Sequence, residues 1–593
     1  MSFPIMEAIM AAKAAAVVLF AMLLAAALTW ADRRQGAMMQ DRVGPNRAVV
    51  FIPRAWAQAG VLLPAAAAVA LFLYWVAENK GVQGSERTSL AVVHTHLAIF
   101  VLWATGLAIS GYVRRVGPKG SFDRFIAGVP DPRWFFYGGV ACHAFALGVQ
   151  GMLRGTSEGQ LLRDFGYGGG ATLVPFIVMG GAIYAAAVLG RRDRVGLRLI
   201  GLLHVAADGI KSAFKEDLIP PKADRLLHGL APFIAFFPVL VLLGVVPFGD
   251  ALCLATEDGS IVGIAATVSG KAFCSEGVVV PLQVLDLDVG ILYYFALAGT
   301  GVVGAALAGW SSDNKFSLLG GLRAASQMVS YEVTLGLTVI GALMIYGTLR
   351  IDEMVAWQAE NAWGIFVQPV AFVLFFAAAV AETKRIPFDL PEGESEIVAG
   401  YFTEYSGLKF AMFFFSEYVA IVASSGLMAA LFFGGWHVPF LDRDGLNLVL
   451  GDLVVARVPL AHGFVVGIGV LAFVTKTVAL CWLQLAVRWT LPRFRYDQLM
   501  GLGWRRLLPA SLGNIAVTAV LLLAVQGASQ SVAEGLDAAG DLSELVVGLV
   551  GLALVGWLIV YLLRPAVHTS LEVTSSARFT KAAGGTRTAR MGA

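Results

Sequence analysis

Apolar runs of about 17–25 residues, long enough to cross a hydrocarbon core of about 30 Å as a helix, recur almost without interruption along the 593-residue chain. They predict thirteen spans, near 8–31, 60–77, 90–113, 134–153, 171–190, 226–248, 289–310, 326–349, 366–383, 410–435, 458–487, 505–526 and 543–563. Inside a bilayer only helices and closed barrels satisfy the backbone, and the alternating segments of a barrel are absent. The expected fold class is all-α, a polytopic transmembrane helical protein.

The polar segments between the runs carry the next signal. Segments 31–54, 114–133, 191–225, 311–325, 382–409, 488–506 and 564–593 hold 33 of the 43 Lys and Arg residues. By the positive-inside rule that face is cytoplasmic, which places the N-terminus outside and, after thirteen crossings, the basic tail inside. The first run, Ala14 to Trp30, follows a start with no basic n-region, Lys13 being its one cation, and is followed at once by Asp32, Arg33 and Arg34, so it reads as a span and not as a cleaved signal. A partial repeat, DRVGPNRA at 41–48 and DRVGLRLI at 193–200, brackets four spans. The chain therefore divides into a first span and turn at 1–49, an inserted cassette at 50–190, a surface-helix region at 191–225, further core spans at 226–526, and an extra span with a basic tail at 527–593. In residues 201–218, Ala206, Ile210, Phe214 and Leu218 line one helical face opposite His204, Asp208, Lys211 and Lys215, as expected of a helix lying along a membrane surface or under a partner.

Composition closes off other classes. The chain is 58% hydrophobic and 14% charged, with a mean hydropathy of +0.74, against about 25% charged in soluble domains, so a soluble enzyme is excluded. Cys142 and Cys481 lie in apolar runs, and no C-x-x-C spacing offers ligands for a metal or an iron–sulfur cluster. Cys253 and Cys274 share one outer loop, where either a disulfide or two free thiols fits. His94, His96 and His143 fall at unequal depths in antiparallel spans, which argues against a haem between them.

Ionisable residues within spans are candidate functional groups because their burial costs several kcal/mol unless they are paired or hydrated. Glu332 and Glu417 lie roughly 10–12 Å inside the cytoplasmic face and could face each other, and Lys476 lies roughly 18 Å deep. Loop 382–409 carries Glu382, Asp389, Glu392, Glu394, Glu396 and Glu404 against Lys384, Arg385 and Lys409, an excess of acid on an otherwise basic face. Pro387, Pro391 and Gly393 prevent a regular helix there, and crowded carboxylates raise one another's pKa and titrate together. Such a graded set is what a proton path requires, and a structural ion pair is the alternative. Gly44, Pro45 and Asn46 form a tight turn between Arg42 and Arg47, usable as an interfacial loop or as the lip of a polar headgroup site.

The segments VGPNR (43–47), ADGIKSAFKED (207–217), LAGWSSDNKFSLLGGLRAASQMVSYEVTLGL (307–337), ETKRIPFDLPEGESEIVAGYFTEYSGLKF (382–410) and LPRFRYDQLMGLGW (491–504) closely resemble the H-subunit family of respiratory complex I, the NADH-quinone oxidoreductase. The likeness covers roughly residues 8–48 and 200–526. The resemblance implies an eight-helix core beside an amphipathic quinone channel. Arg42, Gly44, Pro45, Asn46, Arg47, Asp208, Lys211, Phe388 and Asp389 would line or shape that channel and its mouth. Glu332, Glu382, Glu392, Glu394, Glu396, Glu404, Glu417 and Lys476 would belong to the acidic path coupling quinone chemistry to proton movement. It further implies a bacterial inner-membrane location, with quinone as substrate. FMN and iron–sulfur clusters would sit on partner subunits, and the partners would be peripheral-arm, small membrane and antiporter-like subunits and lipid, not nucleic acid. The chain departs from the family pattern at His204, where Gln is usual, at Lys384, where Asn is usual, in the cassette, and in the added C-terminal span. A membrane-bound hydrogenase-type subunit and a stand-alone transporter are the alternatives, although the inverted repeat of a transporter is not visible.

Overall fold

The computed structural model describes residues 3–40, 45, 50–53, 194–197, 202–257, 260–264, 274, 277–443, 445–450, 453–459 and 462–527, with scattered positions at 59–66 and 535–557. The four expected cassette spans, His94, His96, His143, Cys142, Arg42, Gly44, Asn46 and Arg47 lie outside these residues, and the last expected span is described in part, as helix over 545–551. By its contacts the chain forms two units, Met1–Val50 with Leu197–Val550, and Phe51–Gly196 with Gly551–Ala593. At the two ends of the stretch that opens the second unit, β1 (Val50–Pro53) pairs with β2 (Arg194–Leu197) in a two-stranded sheet.

The first unit begins with α1 (Phe3–Met39) and continues through the surface helix α2 (Leu203–Phe214) to α3 (Arg225–Leu242). Asp224 starts α3 by accepting the Leu226 and Leu227 N–H groups at 3.0 and 3.1 Å, satisfying two of the free donors of a helix start. After a three-stranded sheet in the following loop, β3 (Leu252–Glu257), β4 (Ser260–Ile264) and β5 (Gly277–Val280), the chain enters α4 (Gly290–Ser311) and α5 (Lys315–Tyr346). Asn314 caps α5, and Gly347 ends it in the left-handed conformation at φ 69°. The helix therefore starts eleven residues before the apolar run that predicted it at 326, because hydropathy marks only the lipid-depth part of a helix that the cap and a polar first turn extend beyond it.

Next come α6 (Ile351–Glu360), the single turn α7 (Gly364–Val367) and α8 (Pro369–Glu382). The expected span 366–383 is thus broken at Gln368, where Pro369 begins a new helix. The break is satisfied by polar side chains: Gln368 donates to Thr518 Oγ1 at 2.8 Å and accepts from Asn514 at 3.1 Å. A short helical turn α9 (Glu394–Ile397) lies in the acidic loop ahead of α10 (Gly407–Phe432), which is buried at nearly every position from Ser416 onward. A second three-stranded sheet, β6 (Leu441–Asp442), β7 (Gly445–Leu450) and β8 (Leu453–Pro459), precedes α11 (His462–Thr490). The unit closes with α12 (Tyr496–Leu502), a π turn at Gly503–Leu507, and α13 (Leu508–Gln526).

Seven of the described helical runs are long and apolar enough to cross a membrane, and α8, at 14 residues, is shorter. The protein is a multi-pass helical membrane protein. Neighbours in the packing are α3 with α4 and α10, α4 and α8 with α5, and α10 with α11 and α1. Close approach relies on small residues: a Cβ on Gly304 of α4 would lie 2.6 Å from the Ala235 nitrogen of α3. The two sheets were not foreseen, because their short strands carry no span-length signal. They occupy loops at the end opposite the acidic loop. Cys253 and Cys274 are joined there in a disulfide, His462 accepts the Cys253 N–H at 3.2 Å, and Arg443 donates to Asp250 at 2.9 Å.

Candidate functional site

The site grows from the loop between α8 and α10. This loop folds back on α5 because glycine removes side chains at the contact: a Cβ on Gly320 would meet the Tyr401 nitrogen at 2.5 Å, and Gly400 has φ +56° against the Pro391 carbonyl. Gln327 of α5 fastens the other side, donating to the Ala381 and Phe388 carbonyls at 2.7 and 2.8 Å. Lys384 adopts φ +56°, a region where a non-glycine side chain costs about 1–2 kcal/mol and where the shorter Asn is better tolerated. In this chain a lysine takes that conformation.

That geometry delivers a buried chain of polar groups. Lys384 Nζ donates to the Tyr401 hydroxyl at 3.3 Å, which donates to Glu417 Oε1 at 3.4 Å. The other Glu417 oxygen pairs with Arg385 at 3.0 Å, with 8% of the Arg385 side chain and 4% of the Glu417 side chain exposed, so water screens the pair little. Arg385 packs against the edge-to-face pair of Tyr418 and Phe414, 4.2 and 5.0 Å from the ring centroids. From Tyr418 the network continues to α1 and α11: the Tyr418 hydroxyl donates to Asp32 at 2.9 Å, Trp489 donates to the same carboxylate at 2.9 Å, and Arg488 pairs with it. Burial pushes the Lys384 ammonium below its ordinary range, and Glu417 opposes this.

Toward the membrane, Glu382, Lys384, Ser416 and Glu417 share a cavity of about 40 Å³ whose apolar wall includes Val239 and Met328. At about 10–15 Å³ per water it has room for a few waters. Glu382 sits close enough to Glu332 and Lys384 for their charges to act on it. The sequence suggested that Glu332 and Glu417 face each other. In the structure Glu417 turns to Arg385 and Tyr401, Glu332 turns to α4, and Glu382 lies near both. The Glu332 carboxylate occupies space left by Gly299, where a Cβ would stand 2.6 Å from Oε1. Gly299→Ala is expected to displace this carboxylate with no change of charge while leaving the amount of protein in the membrane within about twofold of wild type. Carbodiimide labelling of Glu332, compared at equal protein in membranes, checks this.

On the loop side, Asp389 is mostly buried, its backbone carbonyl accepts from Arg493, and its carboxylate lies 3.3 Å from the same guanidinium. Burial, reinforced by Glu392 and opposed by Arg493, pushes the Asp389 carboxyl up to about 8. Because the folded value is raised, the stability this group contributes is complete below about pH 4 and is lost as pH rises through about 8. Thermal unfolding of the purified complex should therefore show wild type losing stability relative to Asp389→Asn across that window, with parallel curves outside it.

The remaining candidates are dispersed. Glu396 pairs with Arg323 at 2.8 Å, partly exposed, and Glu404 accepts from Asn314 at 2.6 Å. Glu392 is half-buried and lies within the field of Asp389. Glu394 opens α9, but its side chain lies outside the described positions. Phe388 is buried, stacked on Phe494 at 5.4 Å, and thus shapes the loop from within. Asp208 pairs with Arg33 of α1 at 2.7 Å, Lys211 is exposed, and Pro45 is half-buried. No residue of α2 is buried, and Ile210 and Phe214 are 61% and 87% exposed, an apolar face left to lipid or partner. Lys476 is not brought to the carboxylates at all; three backbone carbonyls hold it.

A family model described as NADH dehydrogenase matches residues 173–519, more than half of the chain. The chain is 39% identical over 335 residues to an NADH-quinone oxidoreductase H-subunit of Cytophaga hutchinsonii, covering 56% of this chain and 88% of that protein. It is 43% identical over 324 residues to an H-subunit of Geobacter sulfurreducens (54% and 82% covered), and 41% over 361 residues to the H-subunit of Bacillus cereus (59% and 92%). The chain belongs to the NADH-quinone oxidoreductase H-subunit family. Within this family member, the residues that sequence reasoning missed are Arg385, Tyr401, Tyr418, Asp32, Arg488 and Trp489. The signals available were weak: Asp32 opens the polar end of the first run, and Arg385 sits beside a proline-rich acidic stretch.

Proposed function

We propose that this chain is the quinone-channel membrane subunit of a proton-translocating NADH-quinone oxidoreductase in a bacterial inner membrane, with the acidic loop facing the cytoplasm and the peripheral arm. The observation that carries the reading is the buried series Lys384, Tyr401, Glu417 and Arg385, continuous with a small polar cavity that holds Glu382. Quinone, the substrate, is reduced by electrons from partner subunits and demands protons. A change of charge near Asp389 and Glu392 alters the balance at Arg385, which both carboxylates influence. Arg385 is in turn the cation in contact with Glu417. Loosening that pair favours proton capture by Glu417, and Glu382 and Glu332 pass the change toward the neighbouring membrane subunits. The turn at Arg42, Gly44, Pro45, Asn46 and Arg47, together with Asp208, Lys211 and Phe388, forms or supports the mouth of the channel in this reading, and α2 presents its apolar face to the incoming isoprenoid.

Glu382→Gln tests the coupling. In inverted vesicles containing assembled complex, NADH oxidation is expected to persist at reduced rate while acidification falls at least tenfold; unchanged acidification rejects the reading. Labelling by a photoreactive quinone analogue near residues 42–47, removed by a rotenone-like inhibitor, tests the channel. Its absence favours a quinone-free, hydrogenase-type complex.

A further inference from the structure

The Lys476 ammonium, on α11, is enclosed by the turn that ends α10. The carbonyls of Phe433, Gly435 and His437 accept from Nζ at 2.8, 2.9 and 2.7 Å, and the Trp363 ring centroid lies 4.2 Å away. The turn is built for this. Gly434 and Gly435 have φ +67° and +48° in the turn whose alternate carbonyls, 433, 435 and 437, meet the ammonium, and a Cβ on Gly434 would lie 2.7 Å from Trp363 Nε1 and one on Gly435 2.6 Å from Val355 Cγ2. The Gly435 N–H folds back onto the Ala429 carbonyl at 2.8 Å, and Trp363 Nε1 donates to His437 Nδ1 at 3.4 Å, fixing the wall. An ammonium has three donors and no acceptor, and here all three are used. A neutral amine would turn a lone pair toward carbonyl oxygen and leave one carbonyl unsatisfied. The cage also sits at the negative end of α10, where a fixed cation is favoured.

We propose that Lys476 is a positioning residue: a permanently charged plug that closes the C-terminal end of α10, and so holds the helix bearing Glu417 in place, without exchanging its proton during turnover. The inference rests on the reading that Glu417 takes part in coupling. Burial, then the Lys476 charge, pushes His437 down to about 4, consistent with a neutral imidazole that accepts from Trp363.

Membrane vesicles carrying the whole complex with Lys476→Arg, Lys476→Met or Lys476→Gly separate the roles, with acidification per NADH oxidised as the readout. A guanidinium keeps the charge and cannot deprotonate. Expected results are a ratio within about twofold of wild type for Lys476→Arg, at least a tenfold loss of assembled complex or of the ratio for Lys476→Met, and recovery of Lys476→Gly by K⁺ as well as by methylammonium. Failure of both Lys476→Arg and K⁺ to support assembly and pumping overturns the proposal, as does recovery by methylammonium alone, since that assigns a titratable proton. Glu417→Gln is measured in parallel. If it pumps normally, the coupling reading fails; if it does not pump and Lys476→Arg does not either, only the role given to Lys476 fails.

Discussion

Arg385→Met is expected to remove most of the assembled subunit from the membrane. The substitution keeps the bulk against Tyr418 and Phe414 but leaves the Glu417 carboxylate buried without the Arg385 cation. Breaking a buried pair from one side costs about 3–5 kcal/mol, because the surviving charge must be desolvated without its partner or take up a proton. That is a large fraction of the roughly 5–15 kcal/mol that holds a typical domain. Adding Glu417→Gln in the same chain removes the stranded charge and is expected to recover assembly to within about twofold of wild type. Proton translocation is not expected to return, since the group at position 417, which Tyr401 and Arg385 both contact in the wild type, can then no longer take up a proton. Native gels for assembled complex, followed by vesicle acidification, give the two readings. Recovery of pumping in the double variant would reduce the pair to a packing element.

Gly400→Ala should be nearly as severe. At φ +56° an alanine already costs about 1 kcal/mol, and its methyl group would overlap the Pro391 carbonyl oxygen, which is backbone and cannot swing aside. Relief requires the 391–402 segment to move off α5, taking the Tyr401 hydroxyl from between Lys384 and Glu417. NADH-driven quinone reduction is expected to fall at least tenfold, with a smaller loss of assembly, since the Arg385–Glu417 pair itself does not depend on Gly400. Gly336→Ala, on the same helix as Gly320 but with nothing within 4 Å of its Cβ position, serves as the neutral control.

The seven long apolar helices among the described residues were legible because lipid imposes a long uniform requirement that hydropathy reports directly. Their ends were not, since the Asn314 cap and the break at Gln368 depend on side-chain hydrogen bonds and not on apolarity. Within the site, the charged residues announced themselves by their cost inside a span. Their partners did not: Tyr401, Tyr418 and Asp32 are ordinary residues in sequence, and it takes the folding of the loop onto α5 to place Tyr401 and the packing of α10 on α1 to bring Tyr418 to Asp32. Lys476 illustrates the opposite case, in which a conspicuous charge at mid-depth is met by backbone carbonyls, a class of partner that no pattern of residue types can display. The disulfide between Cys253 and Cys274, open in the sequence, is resolved by the pairing of β3 with β5, which brings the two loop ends together.

The pairing of β1 with β2 joins two distant parts of the chain. Paired strands run about 4.8 Å apart, so the polypeptide leaves and returns at almost one point. Two segments that residues 54–193 separate in sequence are thereby held side by side.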